Sequence, residues 1–139
     1  MINVGVNAMR VATITGAVLL LILATAQPIA QQHGVSLPVP FHEADMSVPG
    51  YRAVSGVVDF APGGTTGTHF HGGDLVGYIV SGTLVLEQNG VAPRVLNAGD
   101  TFVVPARTVH SHTNQGHVAA RMYVTYVVEK SKPVTTPVR

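Results

Sequence analysis

The stretch GGTTGTHFHGGDLVGYIVSG, Gly63 to Gly82, places two histidines, His69 and His71, one residue apart. In an extended chain successive side chains alternate sides, so both imidazoles stand on one face and Phe70 on the other. A second stretch, GDTFVVPARTVHSHTN from Gly99 to Asn114, carries His110 on another expected strand. Converging the three imidazoles on one ion is the simplest use of the set. It requires the two stretches to meet inside a closed shell of strands.

The surrounding sequence supports such a shell. Val54 to Phe60 is apolar and β-branched, APGGTTG breaks it, and Thr68 to His71 resumes. Leu75 to Val80 looks like a buried run, Ser81-Gly82 turns, and Thr83 to Gln88 alternates apolar with polar. Asn89-Gly90 is a strong hairpin signal. Arg94 to Leu96, Thr101 to Val104, Val109 to Thr113 and the long Val118 to Val128 follow, with a turn at Asn97 to Asp100. Short strands at even spacing with glycine turns predict an all-β, antiparallel sandwich or barrel.

The 139 residues fit one domain, and at 46% hydrophobic they suffice for a core. With 11% charged residues and a formal net charge of +1, the chain has no field or basic patch that would recruit nucleic acid. Cysteine is absent, which excludes disulfides, thiolate metal sites and cysteine nucleophiles. Histidine and carboxylate chemistry is what is left.

At the N-terminus Arg10 precedes VATITGAVLLLILATA, an uncharged run ending in Ala24 and Ala26 at the spacing of an A-x-A cleavage site. It is shorter than the about 20 residues a confident span needs. Residues 1–26 are therefore expected to be a signal peptide cleaved after Ala26, with no stable membrane span afterwards and a secreted or periplasmic mature protein. Loss of Arg10 would leave 7 basic and 7 acidic residues. Residues 27–50 form an N-terminal arm in which Pro38, Pro40 and Pro49 permit strand only at an edge; His33, His42 and Glu43 read as solvated there. Residues 51–130 are the barrel, and 131–139 a tail lying extended over it or in solvent.

The two stretches resemble the paired motifs of the cupin superfamily, and among its members the small single-domain, conserved-barrel type. Gly63, His69, His71 and Gly82 fall on G-x5-H-x-H-x3,4-E-x6-G, and Gly99, Pro105, His110 and Asn114 on G-x5-P-x-G-x2-H-x3-N. The resemblance implies an antiparallel double-stranded β-helix, or jelly-roll barrel, with a metal held by His69, His71 and His110. It also implies dimerisation through edge strands. There are two departures: Leu75 stands where the family has its glutamate ligand, and Arg107 where motif two has glycine. Asp74 could replace the glutamate only if a bulge at Gly72-Gly73 turned it inward. Arginine at a position suited to positive φ implies an altered turn or strain.

Three neutral imidazoles leave coordination positions open, as a catalytic site needs. They suit Fe, Ni, Cu or Zn, with Mn less favoured without the carboxylate. Beyond the ligands, the catalytic candidates are His112, which shares the face of His110, Tyr78, whose offset from His71 favours packing instead, and Arg107, expected at the pocket mouth and able to pair with an anionic substrate. Tyr123 and Tyr126 differ in parity, so at most one points inward. Two functions follow for a small-molecule partner. One is a metal-dependent enzyme of dioxygenase, decarboxylase or lyase type, in keeping with what the family resemblance implies. The other is a non-catalytic module that binds a small ligand or metal, which the apolar Leu75 brings closer.

Overall fold

The computed structural model describes residues 32–37 and 41–138, all strand, turn or loop. The expected signal peptide lies outside the described residues. Among the described residues no helix is long and apolar enough to cross a membrane. Among the described residues eleven strands run in chain order: β1 (His33–Ser36), β2 (His42–Asp45), β3 (Tyr51–Thr65), β4 (His69–His71), β5 (Gly73–Ser81), β6 (Thr83–Gln88), β7 (Arg94–Asn97), β8 (Thr101–Val104), β9 (His110–Thr113), β10 (Ala120–Glu129) and β11 (Thr135–Pro137).

They close into a nearly complete antiparallel barrel with two walls. One wall runs β3-β10-β5-β8, with β1 and β2 on the free side of β3; the other runs β11-β4-β9-β6-β7. The walls join where Thr65 at the end of β3 pairs with Thr113 of β9. This is the jelly-roll barrel expected from the strand pattern, and alternation fills it. Inward residues Val54, Val58 and Phe60 of β3 meet Val124 and Val128 of β10, Ile79 of β5, Leu84 and Leu86 of β6, Leu96 of β7, and Phe102 and Val104 of β8. Small inward positions make room for rings. A Cβ on Gly77 would stand 2.1 Å from the Phe102 ring, and one on Gly56 1.8 Å from that of Phe41.

Two expectations about strands are corrected. APGGTTG does not end the third strand, because β3 runs on to Thr65. Its partner β1 pairs Val35 with Phe60 and His33 with Thr65, and the register shift between them absorbs the extra residues around Pro62. A bulge at an edge is where proline and glycine are tolerated in a sheet. Nor is Leu75 to Val80 wholly buried. Leu75, Gly77 and Ile79 face in, whereas Val76, Tyr78 and Val80 are 47%, 45% and 45% exposed on the outer face.

The segments flanking the barrel attach as strands. β2 pairs residue by residue with Arg52 to Ser55 of β3. In the tail, β11 pairs with β4, setting Thr135 opposite His71 and Pro137 opposite His69. The three motif glycines Gly63, Gly82 and Gly99 all take positive φ, at 75°, 73° and 97°. At Gly82 a side chain would also meet Ala120 at 2.7 Å, so this turn packs against the start of β10 only with glycine.

Candidate metal centre

Short β4 presents His69 and His71 inward with Phe70 turned out, as the alternation requires. Next to it, β9 sets His110 directly opposite His69 in antiparallel register. The ring centroids of the three histidines therefore lie 4.4 to 4.9 Å apart, and their candidate ligand atoms all fall within 4.8 Å of one another.

Backbone carbonyls fix the tautomer of each ring. The Nδ1–H groups of His69, His71 and His110 donate to Gly67 O at 2.9 Å, Val134 O at 3.0 Å and Thr108 O at 2.9 Å. The Thr135 hydroxyl also stands 3.2 Å from His71 Nδ1. With Nδ1 committed, Nε2 is the free lone pair on each ring, the arrangement by which an outer partner orients a metal-binding histidine. Nε2 of His71 and of His110 is buried without a hydrogen-bond partner. Each such atom costs about 1–3 kcal/mol in an apolar interior unless something binds it. Burial, followed by the neighbouring His69 and His110 charges, pushes His71 down to about 3; burial pushes His110 down to about 4. His69 is lowered by burial too. At neutral pH the cluster is uncharged, the state that a metal requires of imidazole. By donor set, tautomer and protonation, the site fits a first-row divalent ion.

A cavity of about 90 Å³ opens beside His69 and His71, with Leu75, His112, Met122 and Tyr126 among its walls. On volume alone it holds about three waters. His112 is fully buried and both of its ring nitrogens lack partners; burial and the neighbouring His110 hold its pKa well below the usual histidine value. The Tyr126 ring packs edge-on against His71 at 4.6 Å, and burial pushes its phenol up to about 12, so it stays protonated.

Not all the sequence candidates gather here. The bulge that would have turned Asp74 inward does not form. Positions 71, 73 and 75 keep one parity, so Asp74 is exposed and its Oδ1 accepts from the Ala106 N–H at 2.9 Å. The inward neighbour is Leu75, 1% exposed. Tyr78 stands on the outer face. Arg107 is not at the mouth of the histidine cavity; it lines a separate outer cleft. It adopts φ 63°, the positive φ that glycine would take there without strain.

Other contributors were not legible beforehand. Of Tyr123 and Tyr126 it is Tyr126 that faces in, because β10 pairs it with Leu75, a register no single strand discloses. Carbonyl partners leave no side-chain signature at all. The motif asparagine is structural: Asn114 Nδ2 donates to Ala61 O at 3.1 Å and Val118 O at 2.8 Å, and Oδ1 accepts from Gly116 N, which ties the loop after β9 to β3.

A nearly closed jelly-roll barrel with an inward histidine triad defines a small β-barrel domain of the metal-site class. The chain belongs to the cupin domain family, whose model matches residues 56–126. It is 36% identical over 77 residues to oxalate oxidase 1 of Hordeum vulgare, covering 50% of this chain and 38% of that protein. It is also 36% identical over 74 residues to germin-like protein subfamily T member 2 of Arabidopsis thaliana, covering 50% and 34%. The chain thus spans well under half the length of these curated relatives. Among solved structures, oxalate oxidase in complex with the substrate analogue glycolate superposes with a TM-score of 0.58 at 27% identity, covering 82% of this chain and 60% of that one. A cupin superfamily protein from Desulfitobacterium hafniense, at 20% identity and a TM-score of 0.55, shares the fold.

Proposed function

We propose that this chain is a metal-dependent cupin enzyme acting on a small organic acid, with His69, His71 and His110 as the ligands of one divalent first-row ion. The observation that carries the reading is the locked triad: three buried, neutral imidazoles, each with Nδ1 tied to a carbonyl. When bound, the ion would supply Lewis-acid stabilisation of charge developing on substrate oxygen. Leu75, in place of a carboxylate ligand, adds no negative charge to this set, so an anionic substrate itself becomes the counter-charge. The cavity admits only a small molecule, and the similarity to oxalate oxidases makes oxalate the first acid to test.

The remaining work falls to side chains around the cavity. Leu75, Met122, Phe41 and Val58 give the cavity apolar walls. His112, neutral and unpartnered, can give one N–H and accept one hydrogen bond, and protonated Tyr126 can only stabilise oxygen as a donor, not act as a base. Dioxygenase, decarboxylase and lyase chemistry differ in what they do with the activated acid. Oxygen uptake with oxalate or glycolate, against carbon dioxide release without oxygen uptake, separates the first two, and other lyase chemistry gives neither signal. A non-catalytic binding module is the second reading, favoured by the apolar Leu75 wall.

The deciding experiment measures metal content of the purified protein and of His71→Ala. Stoichiometric first-row metal that is lost in a still-folded variant supports the proposal; no metal in either, with turnover absent on metal addition, sinks it. Export with cleavage after Ala26, and self-association, complete the proposal; N-terminal sequencing of the secreted chain and its mass in solution check them.

A further inference from the structure

Phe70 stands between two inward histidines and therefore points outward, and beyond it lies a cleft larger than the histidine cavity. This cleft measures about 460 Å³, against about 90 Å³ for the histidine cavity. Phe70, Val109 and Pro133 give it apolar walls; Arg107, Lys132 and Thr136 supply the polar groups. Among the described residues no carboxylate lines it. The ion pairs among the described residues use Arg52, Arg121 and Lys130, and neither cleft cation joins them.

Arg107 marks the cleft out from ordinary surface. It is the one non-glycine with positive φ among the described residues, at a position where glycine would be unstrained. Its N–H donates to His71 O at 3.0 Å, so the turn is pinned while the guanidinium is displayed on the cleft. Among the described residues no ion pair or side-chain hydrogen bond uses that guanidinium, so none of these contacts offsets the strain. Two cations lining an apolar cleft, neither in an ion pair among the described residues, leave a site whose complement is an anion carried on an apolar body.

We infer that the cleft between β4, β11 and the Pro105 to Val109 turn binds an organic anion, with its acid group held by Arg107 and Lys132 and its flat apolar portion against Phe70 and Pro133. Bidentate guanidinium pairing favours a planar carboxylate. The inference stands apart from the metal reading, because it uses none of the three histidine side chains.

Benzoate is the probe, with benzamide as its neutral counterpart, and calorimetric titration with thermal melting as readouts. Benzoate is expected to saturate with a Kd of about 1 mM or tighter and to raise Tm, and benzamide to do neither. The R107Q/K132Q variant should weaken benzoate at least about tenfold, while H110A, which disables the histidine cluster, should bind benzoate as the parent does. Arg107→Gly is the folding control: it relaxes the turn, should melt no lower than the parent, and should lose benzoate all the same. Parent-like benzoate affinity in either R107Q/K132Q or Arg107→Gly overturns the site. So does loss of binding in H110A alone, which would place benzoate in the histidine cavity, or no saturable binding to the parent protein.

Discussion

Position 75 shows how one side chain sets the character of the centre. Leu75 is 1% exposed and lines the cavity beside the histidines, where the family motif has glutamate. Leu75→Glu would place a carboxylate within the reach of any ion held there, and is expected to tighten metal binding by at least about tenfold while costing the metal-free protein on the order of 3 kcal/mol for an unpaired buried charge. Melting with and without added metal reads both effects, and a variant equally stable in both conditions would show that the carboxylate finds solvent. Arg107→Gly is the reverse case. Relief of a left-handed non-glycine, about 1–2 kcal/mol, outweighs the extra unfolded-state entropy of glycine, about 0.5–1 kcal/mol. Urea denaturation should therefore show a small net gain. Both positions were visible in the sequence as departures from fixed spacing, and the inward parity of His69 and His71 followed from alternation alone. Tyr126 was not decidable, since its facing depends on pairing with Leu75 across β10 and β5.

At the level of elements, the strands legible beforehand were those whose apolar pattern is their own, β6 and β8 to the residue. Where a partner decides the structure, sequence was silent. β3 continues through Pro62 and Gly63 because β1 covers it, and β11 exists because β4 offers an edge. The latter pairing matters for the site, since the residue before β11 provides Val134 O, the acceptor that orients His71. Truncation after Lys132 removes this carbonyl and the Thr135 hydroxyl, together with the three-residue ladder, the packing of Val134 against the core and the flanking backbone bonds to Gly72 and Thr68. Metal affinity should fall about 10–100-fold, the usual effect of losing an outer partner, with the barrel still cooperatively folded. Thr135→Val, which leaves the carbonyl in place, should lower it far less. Unchanged affinity in the truncated protein would mean that packing against Tyr126 suffices to hold the ring.

Across the whole molecule, four buried histidines tie folding to pH in one direction. In the unfolded chain each titrates near 6.5, whereas in the fold His71 sits at about 3, His110 at about 4, and His69 and His112 are lowered as well, all chiefly by burial. Above pH 6.5 both states are neutral and stability is flat with respect to these groups. Between that value and the folded values the unfolded chain binds protons that the folded chain refuses, so the stability is fully present above about 6.5 and falls as pH drops. Each histidine contributes up to about 1.4 kcal/mol per pH unit in that window, so even two of them can consume much of the 5–15 kcal/mol typical of a domain before pH 4. The metal-free protein should therefore show a constant Tm from pH 8 to about 7 and a steep decline from about 6 to 4. Bound metal would raise the plateau and steepen the decline, because protons and the ion compete for Nε2. Replacing His110 by glutamine removes one proton site and should make the metal-free decline shallower. A Tm that holds level from pH 7 to 5 in the metal-free protein would mean that the imidazoles reach solvent or share their protons with groups in the cavity, and the cluster would then lack the enforced neutrality on which its affinity for an ion depends.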